Sequence, residues 1–267
     1  MLYKCGELKF GTKRSQLFTG ALHRSGDDMK FLVLQHARVE HPGSFRKFLR
    51  EGGHDCIAVE LDEGEALPAL DGFDALWVMG GPMDVWEEDE YPWLCEEKAL
   101  IREAVEGRGM PFLGLCLGHQ LLAEALGGSC GASEQPEIGV MPVQLTEAGT
   151  TSIILDDFPD TFDCLQWHSV EVKTMPPGAI CLATSPACAI QVMQWGPRAT
   201  SLQFHLEIEP DTVTNWVDIP AYETTLKSAL GNDGPAMLKA SCDGKLTDFE
   251  KLAERVYINW LQTAAQS

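Results

Sequence analysis

Four short apolar runs constrain this chain most. They lie at residues 31–35, 56–59, 75–79 and 111–115, and each is cut off within a residue or two by polar residues or glycine. Continuous apolar runs of this length predict strands buried on both faces. Segments of helical period separate them. Ser44-Phe45-Arg46-Lys47-Phe48-Leu49 stops at Gly52-Gly53, residues 91–105 follow an acidic start, and residues 117–126 stop at Gly127-Gly128. Asp71-Gly72 marks a turn before the third run. Strands alternating with helices predict an α/β fold with a doubly wound, mostly parallel sheet and helices on both faces. Its site should lie beyond the carboxyl ends of the strands. The 267 residues suit one such domain.

The remaining chain reads differently. From about residue 138 the pattern turns to short strands and turns, as far as Leu202-Gln203-Phe204. The last part is helical. Thr247 and Glu250 have capping-box spacing. Phe249, Leu252, Ala253, Val256, Tyr257, Trp260 and Leu261 fall on one face, as a core stripe does. Residues 1–28 carry Lys4, Lys9, Lys13, Arg14 and Arg24 without periodicity and lack the apolar stretch of a signal peptide. The expected organisation is a poorly packed extension over 1–28, the α/β domain over 29–217, and a helical extension over 218–267 packed on that domain.

Charge narrows the partners. The formal net charge is −20, which repels phosphate backbones and argues against nucleic acid. Such a surface serves solubility or attracts a cationic substrate. No apolar run reaches the roughly 18 residues of a membrane span. The nine cysteines are irregularly spaced, with no CxxC and no HExxH, so no metal site is expected. A reducing compartment, the cytoplasm, follows. Cys56 and Cys181 sit in apolar runs and are expected to be small buried hydrophobes.

The densest chemical signal is Phe112-Leu113-Gly114-Leu115-Cys116-Leu117-Gly118-His119-Gln120. A buried strand meets a helix at Cys116, and glycines stand two residues to either side. This is the spacing of a nucleophile elbow with cysteine in place of serine. It sets the sulfur at a helix N-terminus, where backbone N–H groups favour a thiolate. Amide hydrolysis also needs a base, a group to orient that base, and an oxyanion hole. Ser201-Leu202-Gln203-Phe204-His205-Leu206-Glu207 offers the first two, because alternation along a strand puts His205 and Glu207 on one side. Gly80-Gly81-Pro82 leaves bare N–H groups after the third strand, and the Leu117 N–H would be a second oxyanion donor.

Gly-Gly-Pro, Gly-Leu-Cys-Leu-Gly-His-Gln and Gln-Phe-His-x-Glu, in that order, resemble the class I, triad-type glutamine amidotransferases over about residues 30–217. The resemblance is nearest to stand-alone members similar to the glutaminase part of GMP synthase. It implies a flavodoxin-like core, no cofactor, and Cys116, His205 and Glu207 as nucleophile, base and orienting acid. It further implies Gly81 and Leu117 as backbone oxyanion donors, with Gly80, Gln120, His168 and Ser169 at the substrate. Glutamine or a γ-glutamyl amine would be that substrate, and a synthase subunit is a possible partner.

The sequence departs from the family pattern in two places. Leu206 stands where the family usually has proline between the histidine and the glutamate. After residue 217 no P-loop or other nucleotide fingerprint follows to activate an acceptor. The acidic residues Asp84, Glu87, Glu88, Asp89 and Glu90 follow the oxyanion loop and suit the rim of a site for cationic amines, or a solvated helix start. Trp86 and Trp167 would line the same mouth or simply pack. Two competing readings are an α/β-hydrolase, whose acid would lie well before its histidine, and a degenerate, non-catalytic subunit.

Overall fold

The structure is a computed structural model that describes residues 28–266. All but the last residue of the expected 1–28 extension lies outside that range. Nine strands form one sheet: β1 Lys30–Gln35, β2 Asp55–Glu60, β3 Ala75–Val78, β4 Phe112–Leu115, β5 Ser129–Leu145, β6 Thr161–Thr174, β7 Ala179–Thr184, β8 Val192–Trp195 and β9 Ala199–Leu202. Their order across the sheet is β2-β1-β3-β4-β9-β8-β7-β5-β6. From β2 to β9 every neighbouring pair is parallel; from β9 to β6 every pair is antiparallel.

Helices cover both faces because the strand residues alternate between two cores. Phe31, Val33, Trp77, Leu113 and Leu115 point to one face, against α1 (Phe45–Gly52) and α7 (Leu246–Ala264). Leu32, Leu34, Leu76, Val78 and Phe112 point to the other, against α2 (Trp93–Arg102) and α3 (Leu117–Ala125). Each fully buried Leu or Phe contributes roughly 1.5–3 kcal/mol of transfer free energy. The α7 stripe is buried at Phe249, Ala253, Val256, Tyr257 and Trp260, and the Trp260 indole donates to the Phe112 carbonyl at 3.0 Å. The C-terminal helix is thereby bonded to the strand that leads to Cys116. Three further helices, α4 Thr212–Val217, α5 Pro220–Leu230 and α6 Gly234–Asp243, connect β9 to α7.

Several local expectations need correction. β5 and β6 have 17 and 14 residues and form a long antiparallel ribbon, whereas β7, β8 and β9 are the short strands expected, with 6, 4 and 4 residues. Register shifts at Ser129/Cys130 and Ala132/Glu137 let the strand run on through Pro136, which lies within the second irregularity. Cys56 is exposed and Cys181 half-buried. β2 is a sheet edge with Asp55, Cys56, Ile57 and Ala58 all exposed, and β7 is exposed or half-buried over Ala179, Ile180 and Cys181. Helix α7 starts at Leu246 with no side-chain cap, and Glu250 reaches Lys47 at 2.9 Å instead of closing a capping box. No helix among the described residues is long and apolar enough to cross a membrane.

Candidate active site

Cys116 sits between β4 and α3 with φ 51° and ψ −102°, one of two non-glycine residues with positive φ among the described residues. Such a conformation costs on the order of 1–3 kcal/mol and persists only where surrounding structure enforces it. Here the enforcement is close backbone approach. A Cβ on Gly114 would lie 2.5 Å from the Gly118 carbonyl oxygen, and one on Gly118 would lie 2.1 Å from that of Val78. The Cys116 N–H donates to Leu202 O at 2.8 Å and the Gly118 N–H to Met79 O at 3.1 Å. The elbow is thus pinned to both neighbouring strands.

His205 and Glu207 lie beneath the sulfur, 2 % and 4 % exposed. The strand β9 ends at Leu202, so simple strand alternation does not place them. A single antiparallel bridge to Leu165 fixes the His205 backbone. His205 Nδ1 donates to Glu207 Oε1 at 2.6 Å, and Cys116 lies close enough to the ring to influence its charge. Burial alone would lower the His205 pKa; the Glu207 carboxylate and the Cys116 contact outweigh it and hold the imidazolium well above its ordinary range. The Leu206 N–H donates to Glu207 Oε2 at 3.0 Å, a bond that proline at this position cannot make.

A cleft of about 480 Å³, including its open mouth, lies over Cys116. Gly81, Leu117, Gln120, His168 and Ser169 all line it. Gly80 does not line it: its carbonyl is turned back to His36, 2.8 Å away. Of the acidic run, Asp84 lines the cleft, and burial, with Glu87 nearby, raises its pKa. Glu87 accepts from the Asp84 N–H, and Glu88 pairs with Lys98 at 2.6 Å. Trp167 lines the cleft; Trp86 is 43 % exposed and is not part of its wall.

Behind the His168 wall, Glu137, His168 and Cys188 hold ligand-type atoms within 4.8 Å of one another. Glu137 is already engaged: it accepts from Ser185 and from Gln191, each at 2.7 Å. Burial pushes the Cys188 thiol up to about 12. His168 Nδ1 donates to Val170 O at 3.0 Å, and Nε2 stands 3.2 Å from Glu137. The group is a polar brace for the wall that carries His168 and Ser169.

The glutamine amidotransferase class-I family model matches residues 44–215. The chain belongs to the class-I glutamine amidotransferases. The glutamine amidotransferase-like protein YfeJ of Salmonella typhimurium is 30% identical over 233 residues, covering 86% of this chain and 95% of that one. A glutamine-hydrolysing GMP synthase of Aeropyrum pernix is 33% identical over 168 residues, 61% of this chain but 30% of the synthase. The crystal structure of a glutamine amidotransferase from Thermotoga maritima superposes with a TM-score of 0.78 at 27% identity, covering 90% of this chain and 100% of that one.

Several residues of this amidotransferase's site carry no sequence signal of their own. Ala221, Tyr222 and Thr225 of α5 form one wall of the cleft. Tyr222 donates to Glu40 at 2.5 Å and packs against Trp167 and Trp216, and Trp216 meets the His205 ring edge-on at 4.7 Å. Burial raises the pKa of Glu40, against the opposing pull of His205 and Tyr222. Gln203 was visible in the Gln-Phe-His-x-Glu motif but had no assigned task. Its amide donates to Cys116 Sγ at 3.7 Å and accepts from Gln120 at 3.3 Å.

Proposed function

We propose that this chain is a Cys-His-Glu amide hydrolase. It releases ammonia or an amine from glutamine or a γ-glutamyl amide through a γ-glutamyl thioester. The observation that carries this reading is the buried grouping of Cys116, at the head of α3, with His205 and its 2.6 Å bond to Glu207.

His205 takes the Cys116 proton, and the thiolate attacks the γ-carboxamide carbon. The C–N bond breaks as His205 returns the proton to the departing amine. Water, deprotonated by the same imidazole, cleaves the thioester to glutamate and regenerates the thiol. Glu207 keeps the ring oriented and stabilises its cationic form. The N–H groups of Gly81 and Leu117 face the oxyanion. The flanking amides of Cys116 and Gly118 are consumed by Leu202 and Met79, which favours Leu117 for that task. Gln120, His168 and Ser169 receive the amino-acid end, and Asp84 attracts a cationic amine at the rim. The eight cysteines among the described residues are all free, in keeping with a cytoplasmic setting.

The test is glutamate release by the purified chain from glutamine and from a panel of γ-glutamyl amines, with Cys116→Ala as control. Fast release from one γ-glutamyl amine names the substrate; undiminished release by Cys116→Ala refutes the assignment. The likeness to GMP synthases favours a second reading, a glutaminase subunit that feeds ammonia to a synthase. Slow, Cys116-dependent turnover of glutamine alone would select it.

A further inference from the structure

A second buried histidine–carboxylate pair stands behind the Gly80–Gly81 peptide. His36 follows β1 and is 1 % exposed; Glu97 belongs to α2 and is fully buried. His36 Nε2 lies 3.0 and 3.1 Å from the two Glu97 oxygens, and Nδ1 lies 2.8 Å from the Gly80 carbonyl oxygen. Trp93 stacks on the imidazole at 5.4 Å with an interplanar angle of 19°. Neither ring nitrogen is left for a substrate.

The geometry of one peptide unit makes this pair relevant to the cleft. The Gly80–Gly81 bond is trans, so its C=O and N–H point in opposite directions. Fastening the Gly80 oxygen to His36 turns the Gly81 N–H away from His36, toward the side on which Gly81 lines the cleft. Two glycines in series offer little intrinsic resistance to a peptide flip. Packing resists a larger residue at Gly81, where a Cβ would lie 2.7 Å from His36 Cβ. The orientation must therefore come from outside the loop. A flipped peptide would present a carbonyl oxygen where negative charge develops.

Glu97 decides which form of His36 is present. The Gly80 oxygen can only accept, so Nδ1 must carry a proton. A carboxylate on Nε2 makes that nitrogen a donor too, which leaves both ring nitrogens protonated. Buried without Glu97, the ring would be neutral, and its Nδ1–H would hold the Gly80 oxygen by an ordinary hydrogen bond instead of a charge-assisted one about twice as strong.

We infer that the Glu97–His36 pair is a positioning device for the oxyanion hole, holding the Gly80–Gly81 peptide with its N–H turned to the developing oxyanion. The inference rests on the Cys116 hydrolase reading. It makes His36 and Glu97 positioning residues that touch no substrate.

The experiment compares two rates on each variant. One is turnover of the best γ-glutamyl amide. The other is alkylation of Cys116 by iodoacetamide, a displacement at a saturated carbon that creates no oxyanion on a carbonyl. His36→Leu is expected to lower kcat by on the order of 10²–10³, the usual loss for one oxyanion donor, with KM and the alkylation rate within about threefold of wild type. His36→Asn keeps an N–H near the position of Nδ1 and is expected to recover most of kcat. Glu97→Gln preserves the packing if His36→Leu fails to fold, and should lower kcat about tenfold with alkylation again unchanged. Full kcat in His36→Leu or Glu97→Gln, or parallel loss of kcat and alkylation, overturns the inference alone. A wild-type chain without Cys116-dependent turnover overturns it together with the hydrolase reading.

Discussion

Two buried histidine–glutamate pairs bring their histidines to Gly80: His36 bonds its carbonyl, and His205 Cε1 would lie 3.3 Å from a Cβ built on it. In His205–Glu207 the partners are two residues apart, and the second ring nitrogen is not tied to the backbone, with Cys116 near the ring. In His36–Glu97 the partners are 61 residues apart, and the second nitrogen is spent on a backbone carbonyl. Both pairs are buried and both hold the imidazolium above its ordinary range: burial opposes this in each, and Glu207 or Glu97 overcomes it. A perturbed histidine therefore does not by itself mark the acid–base group. What distinguishes the two is where the remaining nitrogen points.

The sharpest break between the pairs is at the sulfur. Cys116→Ala should lose turnover by on the order of 10⁴ or more, measured as glutamate release, while leaving His36 and Glu97 undisturbed. Glu207→Gln should cost on the order of 10² in kcat and change the pH profile. The sign follows from the raised His205 pKa. On the proposed mechanism the His205 imidazolium protonates the leaving amine; it persists above pH 6.5 and is lost only as pH rises through the folded value. Without the carboxylate, the alkaline limb of kcat/KM should move down toward 6.5. An unmoved limb would detach Glu207 from His205.

A third buried histidine sharpens the comparison from the other side. His119 has a hydroxyl partner, Ser201 Oγ at 2.8 Å, in place of a carboxylate, and burial pushes it down to about 3. The unfolded chain takes up this proton near pH 6.5 and the folded chain does not. Stability is thus fully present above that pH and lost as pH falls. The loss by pH 5 is about 2 kcal/mol. His119→Gln should remove that loss, read as wild-type and variant unfolding free energies converging between pH 7 and 5. The smallest effect is expected at Leu206. Leu206→Pro deletes one N–H donor to Glu207 but leaves the 2.6 Å bond to His205, so kcat should fall by less than about tenfold.

The sequence was most legible where local rules are strict. Runs such as Phe31-Leu32-Val33-Leu34 read as strands because both faces are buried, and no register is needed to see it. The α7 stripe read as core for a similar reason. The elbow was visible because only glycine fits at 114 and 118 against two carbonyls. Legibility failed where a residue's state depends on a distant partner. Cys56 looked buried until β2 proved to be an edge. Thr247 and Glu250 had capping-box spacing, but the N-cap is Lys245, two residues before Thr247, and Glu250 turns to Lys47. Tyr222 read as one more residue of a helical tail, yet it closes the cleft and caps Glu40.

By itself, then, the sequence determined the alternation of strands and helices and the glycine-flanked turn that carries Cys116 between a strand and a helix. These follow from sterics and periodicity acting over a few neighbouring residues. Tertiary structure alone decided the wall that α5 gives the cleft, the bridge to Leu165 that sets His205, and the meeting of His36 with Glu97 behind Gly80. Those depend on which elements the sheet order brings side by side, and no local pattern carries that information.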